Sequence, residues 1–187
     1  MKIAFVTAEH ALFVKVGGLA DVASALPAHL RVAGHTVRVY LPYYAAAAAN
    51  LHLAWDTHHF VSVAAAGKVF HVGIYHHVTA DGVDIYLLRY DELFGRPGVY
   101  GEANEGYADN LLRFAVFQQA VLEHFSVNDW FPDVLHCHDW HTALLPAYCA
   151  ARADLDARFA AIKTVFTIHN LGFQGVFDPS MFSMLNL

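Results

Sequence analysis

Three short stretches carry residues whose types and spacing could do chemistry. The first, Lys15-Val16-Gly17-Gly18-Leu19, follows an apolar run and opens a helical pattern. A strand that ends in two glycines and turns at once into a helix presents free backbone N–H groups at the positive end of the helix dipole, which suits a phosphate. Lys15 adds a mobile positive charge at the mouth. The pattern is neither G-x-G-x-x-G nor G-x-x-x-x-G-K-[ST], so it is not the dinucleotide fingerprint or the P-loop. An ordinary explanation is also open: Gly17 and Gly18 allow a tight turn and close packing of helix on strand, and Lys15 is merely solvated.

The second stretch, His136-Cys137-His138-Asp139-Trp140-His141, invites a metal reading. Along a strand, however, His136 and His138 share one face and Cys137 points to the other, and no C-x-x-C or H-x-x-x-H spacing supports a site. Cys137 reads as a small buried residue. Asp139 sits where strand gives way to helix, so it is either an N-cap or a carboxylate for a sugar hydroxyl. His141 falls in the first helical turn, where packing, capping and ligand contact are all open. The third stretch, His169-Asn170-Leu171-Gly172, follows an apolar strand where the backbone must turn sharply, which favours a functional His169 over a satisfied core histidine.

Other candidates are plainer. The loop of Arg96-Pro97-Gly98-Val99-Tyr100 and Asn104-Glu105-Gly106-Tyr107 is too polar and aromatic for core, and its simplest reading is a surface turn. Arg89, Arg96 and Arg113 are expected to be ordinary salt-bridge partners. His58, His59, His76 and His77 are expected on exposed strand faces.

The elements that must position these groups follow from the apolar pattern. Lys2 to Ala8 reads as a buried strand. A helix runs from near Leu19 to Gly34, with Pro27 kinking it or tolerated near a bend, and Thr36 to Leu41 is a second strand closed by Pro42. This is a parallel β-loop-α-β unit. Ala45 to Ala49 reads as a short surface helix or loop. His58 to Ala64, Lys68 to His76 and Val83 to Leu88 are strand-like runs separated by Ala66-Gly67 and Ala80-Asp81-Gly82, so a hairpin makes the sheet mixed. Tyr107 to Phe125 is the longest amphipathic helix, and Asp133–Cys137, His141–Ala153 and Lys163–Ile168 give strand, helix, strand. The fold class is α/β: a Rossmann-like, doubly wound, mostly parallel sheet with a β-hairpin extension. Ligands of such sheets lie beyond the carboxyl ends of the strands, where all three informative stretches fall.

Composition narrows the partners. With 187 residues, 57% of them hydrophobic, the chain is long enough for one well-buried domain and too short for two large ones. A formal charge of -6 with only 11 Lys and Arg argues against nucleic acid or an anionic membrane, leaving a small molecule as partner. Cys137 and Cys149 suit a reducing compartment, the N-terminus lacks the apolar core of a signal peptide, and no run approaches the ~18 apolar residues of a membrane span. Cytoplasm is the expected location.

Six ordered blocks carry a family resemblance: KVGGLADV at Lys15–Val22, GHTVRVYLPYY at Gly34–Tyr44, GRPGVY at Gly95–Tyr100, YADNLLRF at Tyr107–Phe114, PDVLHCHDWHTALLPAY at Pro132–Tyr148 and KTVFTIHNLGFQGVF at Lys163–Phe177. The chain resembles, almost end to end, the N-terminal half of the bacterial glycogen synthases and plant starch synthases, retaining glucosyltransferases of the two-domain GT-B type (glycosyltransferase family 5). The resemblance implies transfer of glucose from ADP-glucose, or UDP-glucose in some relatives, to the non-reducing end of an α-1,4-glucan, with no metal or other cofactor. It places Lys15 and the amides of Gly17 and Gly18 near the donor diphosphate, Asp139 and His169 as catalytic residues lining the glucose pocket, and Tyr100, Asn170 and His141 along the sugar or acceptor. It also implies a bacterial, cytoplasmic enzyme whose second Rossmann-like domain is missing here, so that the 187 residues alone are expected to be inactive. A non-catalytic module that holds glucan or nucleotide sugar, and a phosphate-binding domain of another transferase, are the alternatives. Ala143, Leu12, Cys137 and Gly172-Phe173 stand where the family usually has Gly, Pro, Ala and Ala-Tyr; none removes a proposed contact.

Overall fold

The computed structural model describes residues 1–44, 53–103 and 105–187, so the expectation for Ala45–Ala49 lies outside the described residues. The β-branched and aliphatic runs become strands. β1 (Lys2–Val6) leads by a loop into α1 (Gly18–Val32) and β2 (Thr36–Pro42). A long hairpin, β3 (Ala54–Ala65) and β4 (Lys68–Val78), precedes β5 (Asp84–Arg89). The one-turn α2 (Asp91–Phe94) and a tiny ribbon of β6 (Gly101–Glu102) with β7 (Glu105–Gly106) lead into α3 (Asn110–Val127). Then come β8 (Val134–His138), a 3-10 turn at Trp140–Thr142, α4 (Leu145–Ala153), α5 (Ala157–Ala160), β9 (Lys163–Thr167) and a 3-10 stretch at Pro179–Leu185.

Seven strands form one sheet in the order β3-β4-β5-β2-β1-β8-β9. The five from β5 to β9 run parallel, and β4 and β3 add antiparallel at one edge. The expected mixed, mostly parallel sheet is what forms. Ala66 and Gly67 take φ of 48° and 70°, the left-handed pair that a tight two-residue hairpin requires.

Alternation along the strands feeds two cores. Ala4, Val6, Tyr40, Leu88, Leu135 and Cys137 meet Phe114, Phe117 and Val121 of α3 on one face. Ile3, Phe5, Val37, Val39, Ile85 and Leu87 meet Ala23 of α1 on the other. Each fully buried Val, Leu, Ile or Phe among them contributes about 1.5–3 kcal/mol relative to leaving it in water, so both faces must be covered and the sheet is doubly wound. α1 continues through Pro27 to Val32, and Gly34, at φ 90°, turns the chain out of the helix. At the far edge β9 is open, and Val165, Phe166, Ile168, Leu171, Phe173, Val176 and Phe182 are exposed on and after it. Among the described residues no helix is long and apolar enough to cross a membrane.

Three expectations need correction. α3 starts at Asn110, not Tyr107, because Gly106 pairs with Gly101 and the Tyr107 N–H donates to Tyr100 O at 3.0 Å, which holds the preceding chain extended. His76 and His77 are half-buried rather than displayed: the register sets His76 opposite Tyr86, its ring stacks there at 4.8 Å and Nε2 lies 2.8 Å from Asp84 Oδ1, while His77 packs edge-on to Phe13. Arg89 and Arg96 do pair, with Asp91 and Asp109, but Arg113 is no surface ion-pair residue.

Arg113 is completely buried. Its guanidinium donates to Leu93 O at 2.6 Å, Asn110 Oδ1 at 2.6 Å and Val99 O at 3.1 Å, so it ties α2, α3 and the loop before Tyr100 together. Replacing it by Leu strands two buried acceptors and a half-buried one, and Arg113→Leu should lower unfolding free energy by about 3–5 kcal/mol in urea titrations.

Candidate functional site

Val6 lies opposite Cys137, and Cys137 opposite Phe166, so the chain leaves β1, β8 and β9 side by side. From β1 the chain crosses to β2 on one side; from β8 it crosses to β9 on the other. This is the point where the winding reverses, the place where open α/β sheets hold ligands.

After β1, the organising residue is one the sequence reading passed over. Glu9 is 4% exposed. Its Oε2 accepts the N–H groups of Val16 and Gly17, both at 2.8 Å, and its Oε1 accepts the Tyr100 hydroxyl at 2.7 Å. A buried carboxylate is tolerable only when bonded in this way. The only signal for it in the sequence is a charged residue just past an apolar strand; its donors come from residues 7, 8 and 91 positions away.

The glycine pair is not explained by turning or packing. Neither Gly17 nor Gly18 has positive φ, and a Cβ added to either would meet nothing within 4 Å among the described residues. Both stand at an open surface where α1 begins, so what their lack of a side chain leaves clear is approach from outside. Lys15 is exposed and its Nζ lies 2.6 Å from Asp21 Oδ1. An exposed pair of this kind holds the ammonium by no more than about 1 kcal/mol.

Tyr100 bridges to the second stretch. Its ring stacks on His141 at 4.5 Å and 24°, and His141 is flanked by Trp140 at 4.0 Å and Phe114 at 4.9 Å. Burial drives the Tyr100 hydroxyl far above its usual range, with Tyr44 and Glu9 adding to it, so it remains a donor. His141 is buried with no hydrogen-bond partner for Nδ1 among the described residues, and burial, with Arg113, pushes its pKa down to about 3. It sits in the 3-10 turn and α4 begins only at Leu145. The expected helix start is displaced because Thr142 Oγ1 accepts the His138 N–H at 2.6 Å and donates back to His138 O at 3.0 Å, while Pro146 suits only a first turn.

Asp139 joins the second stretch to the third. Its backbone takes φ 57° and ψ -179°, a region that costs a non-glycine residue about 1–3 kcal/mol. The side chain does not cap its own turn; Oδ1 accepts the His169 N–H at 2.7 Å, and the Asp139 N–H donates to Thr167 O at 3.0 Å. The His169 ring is held as well, with Nε2 2.9 Å from His138 Nδ1. Asn170 is exposed and its Oδ1 accepts the Gly172 N–H at 2.9 Å, so it shapes the turn. His136 and His138 lie with ring centres 4.1 Å apart and planes tilted by 36° on one face with Cys137 on the other, and among the described residues no group of three or more His, Cys, Asp or Glu is placed to hold a metal ion.

Contacts therefore run from Gly17 through Glu9 and Tyr100 to His141, which stands two residues after Asp139, whose carboxylate holds the His169 amide, with Lys15 at the rim. The set offers fixed carboxylate oxygens, imidazole nitrogens and aromatic faces beside an open helix start. Cys137 and Cys149 are buried with thiols raised by burial, Cys149 to about 11, so neither is a nucleophile. These features suit a polyhydroxylated, anionic ligand.

Fold and site together define a doubly wound α/β domain with a ligand edge at its switch point. The chain belongs to the family described as "Starch synthase catalytic domain", whose profile matches residues 2–187. It is 40% identical to a glycogen synthase of Geotalea daltonii over 98% of its length and 41% identical to a glycogen synthase of Streptococcus mutans over 99%. It spans 40% and 38% of those two proteins. Among solved structures, the catalytic domain of starch synthase IV from Arabidopsis thaliana, bound to ADP and acarbose, superposes with a TM-score of 0.86 at 29% identity, covering 99% of this chain and 37% of that one.

Two outcomes are expected. Glu9→Ala strands three donors and should cost about 3–5 kcal/mol in urea unfolding, whereas Glu9→Gln, which keeps an acceptor for the loop amides, should cost about 1–2 kcal/mol. Stability should also fall on acidification. Burial holds His10, His138 and His141 neutral, with pKa values lowered to about 4, 2 and 3. Below the unfolded value near 6.5 the unfolded chain takes up protons that the folded chain refuses, so their stabilisation is complete above pH 6.5 and lost as pH drops. Each contributes up to about 1.4 kcal/mol per pH unit between 6.5 and its folded value. Urea midpoints measured from pH 7 to 4.5 should decline steeply, and a flat profile would contradict the neutral assignment.

Proposed function

We propose that this chain is the N-terminal, acceptor-side half of a retaining glucosyltransferase that moves glucose from ADP-glucose to the non-reducing end of an α-1,4-glucan. The observation that carries the reading is the pairing of an open glycine start on α1 with the Asp139–His169 clamp on one sheet edge. Family membership supports it, and so does the ADP and acarbose of the Arabidopsis relative.

On this reading the donor diphosphate lies against Lys15 and the first amides of α1, those that no intrahelical carbonyl can satisfy. The Gly17 amide is already engaged by Glu9, so Gly18 and the residues after it carry that contact and Lys15 turns from Asp21 to the phosphate. Asp139 and His169 line the transferring glucose; Tyr100, His141 and Asn170 border the sugar side. No metal or cofactor is required, because the departing diphosphate is met by the lysine, the amides and cationic groups of a second domain across the cleft. That domain is the essential partner, and the setting is a reducing cytoplasm.

Transfer of labelled glucose from ADP-glucose to glycogen tests this. The 187 residues alone should give no turnover. In the two-domain enzyme, Lys15→Ala and His169→Ala should each reduce kcat by about 100-fold while the protein stays folded. Binding of glucan or ADP-glucose without turnover in the two-domain protein would favour the non-catalytic module instead, and unaltered kinetics in both variants would sink the site assignment.

A further inference from the structure

Behind His169 lies a histidine to which neither the family resemblance nor the reaction assigns a task. His138, the last residue of β8, is fully buried. Phe5 stacks on its ring at 4.0 Å and His136 lies at 4.1 Å on the same sheet face, so the ring cannot swing. Nδ1 faces His169 Nε2 at 2.9 Å, with the two rings nearly parallel at 23°. Nε2 is buried and has no hydrogen-bond partner among the described residues.

Two neutral rings that share one hydrogen bond must divide their protons unequally. If His169 donated from Nε2, His138 would accept at Nδ1 and carry its own proton on Nε2, burying an N–H with nothing to receive it. If His138 donates from Nδ1, only a lone pair is left unpaired at Nε2. Orphaned buried N–H groups are the rarer and worse case. Burial, followed by the charges on His136 and His169, lowers the His138 pKa to about 2, so His138 itself carries a single ring proton.

We propose that His138 is a positioning residue that donates Nδ1–H to His169 Nε2 and so fixes His169 as the Nδ1–H tautomer, leaving that N–H on an exposed ring as a donor to a ligand oxygen. The backbone of the same residue is fixed independently by the Asp139 carboxylate at 2.7 Å. His169 is thus set in place at two points by adjacent residues, one holding its amide and one its ring. A tautomer locked in advance costs nothing to select when the ligand arrives, which is how a supporting residue raises turnover without touching substrate. The catalytic consequence rests on the glucosyl-transfer reading; the tautomer itself does not.

Two-bond 1H–15N spectra of the 15N-labelled chain at neutral pH decide it, with His169 assigned by comparison with H169Q. In the native chain His169 Nδ1 should be pyrrole-like and Nε2 pyridine-like, a result that needs no variant. In H138L the His169 nitrogens should average toward the mixture of a solvated histidine. In H138N, whose Nδ2 stands where Nδ1 stood, the Nδ1–H form should return. A pyrrole-like Nε2 on native His169, or an unchanged pattern in folded H138L, overturns the proposal. In the two-domain enzyme H138L should lower kcat about 10-fold with KM little changed, and H138N should recover most of it. A tautomer shift with kcat unchanged would leave the pairing standing and remove His169 from the proposed chemistry.

Discussion

Parallel pairing of β1 with β2 on one side and β8 on the other is the constraint on which the rest of the structure depends. Parallel strands all leave the sheet at the same end, so the loop after β1 is brought to one edge with two loops that lie more than a hundred residues further along the chain, without any contact between them having to be arranged first. The register matters as much as the direction. Side chains alternate with a period of two, and a slip of one residue in β8 would send His136 and His138 into the α3 core and bring Cys137 beneath the site. Leu135 and Cys137, buried against α3, oppose that slip.

The two buried carboxylates of this edge behave as scaffolding. Glu9 gathers amides from the glycine loop and a hydroxyl from the loop before α3, and Asp139 reaches across to the amide that follows β9. Each uses charge-assisted bonds, stronger than neutral ones, to fix segments with little apolar area of their own. Order is thereby built into loops that packing alone would leave free. The cost is local: a strained backbone at Asp139, and buried rings at His138 and His141 that must stay neutral.

Much of this was legible in the sequence because it is written locally. Runs such as Ile3–Val6 and Val37–Leu41 read as buried strands, the hairpin turns announced themselves at Ala66-Gly67 and Gly82, and the opposite faces of His138 and Cys137 follow from strand geometry. What escaped is non-local. Tyr107 has the periodicity of a helix start, yet a bond to Tyr100 O keeps it extended. Asp139 looks like an N-cap until His169, 30 residues on, claims its oxygen. Glu9 is invisible as a hub because one of its donors, the Tyr100 hydroxyl, lies 91 residues on, and Arg113 reads as surface charge until the carbonyls of Leu93 and Val99 close around it. Family blocks mark which residues belong together and are silent on which of them touch.

The left-handed backbone at Asp139 sets local stability against site geometry. Glycine would adopt φ 57° without penalty, so an Asp139→Gly chain sheds the backbone strain while releasing the His169 amide. The two effects are of similar size and opposite sign. A directed-evolution campaign scored only on melting temperature or soluble yield would therefore see almost no signal at this position. Such a screen would let through clones whose ligand edge had come apart, and only a selection that reads ligand or turnover could tell them from the parent.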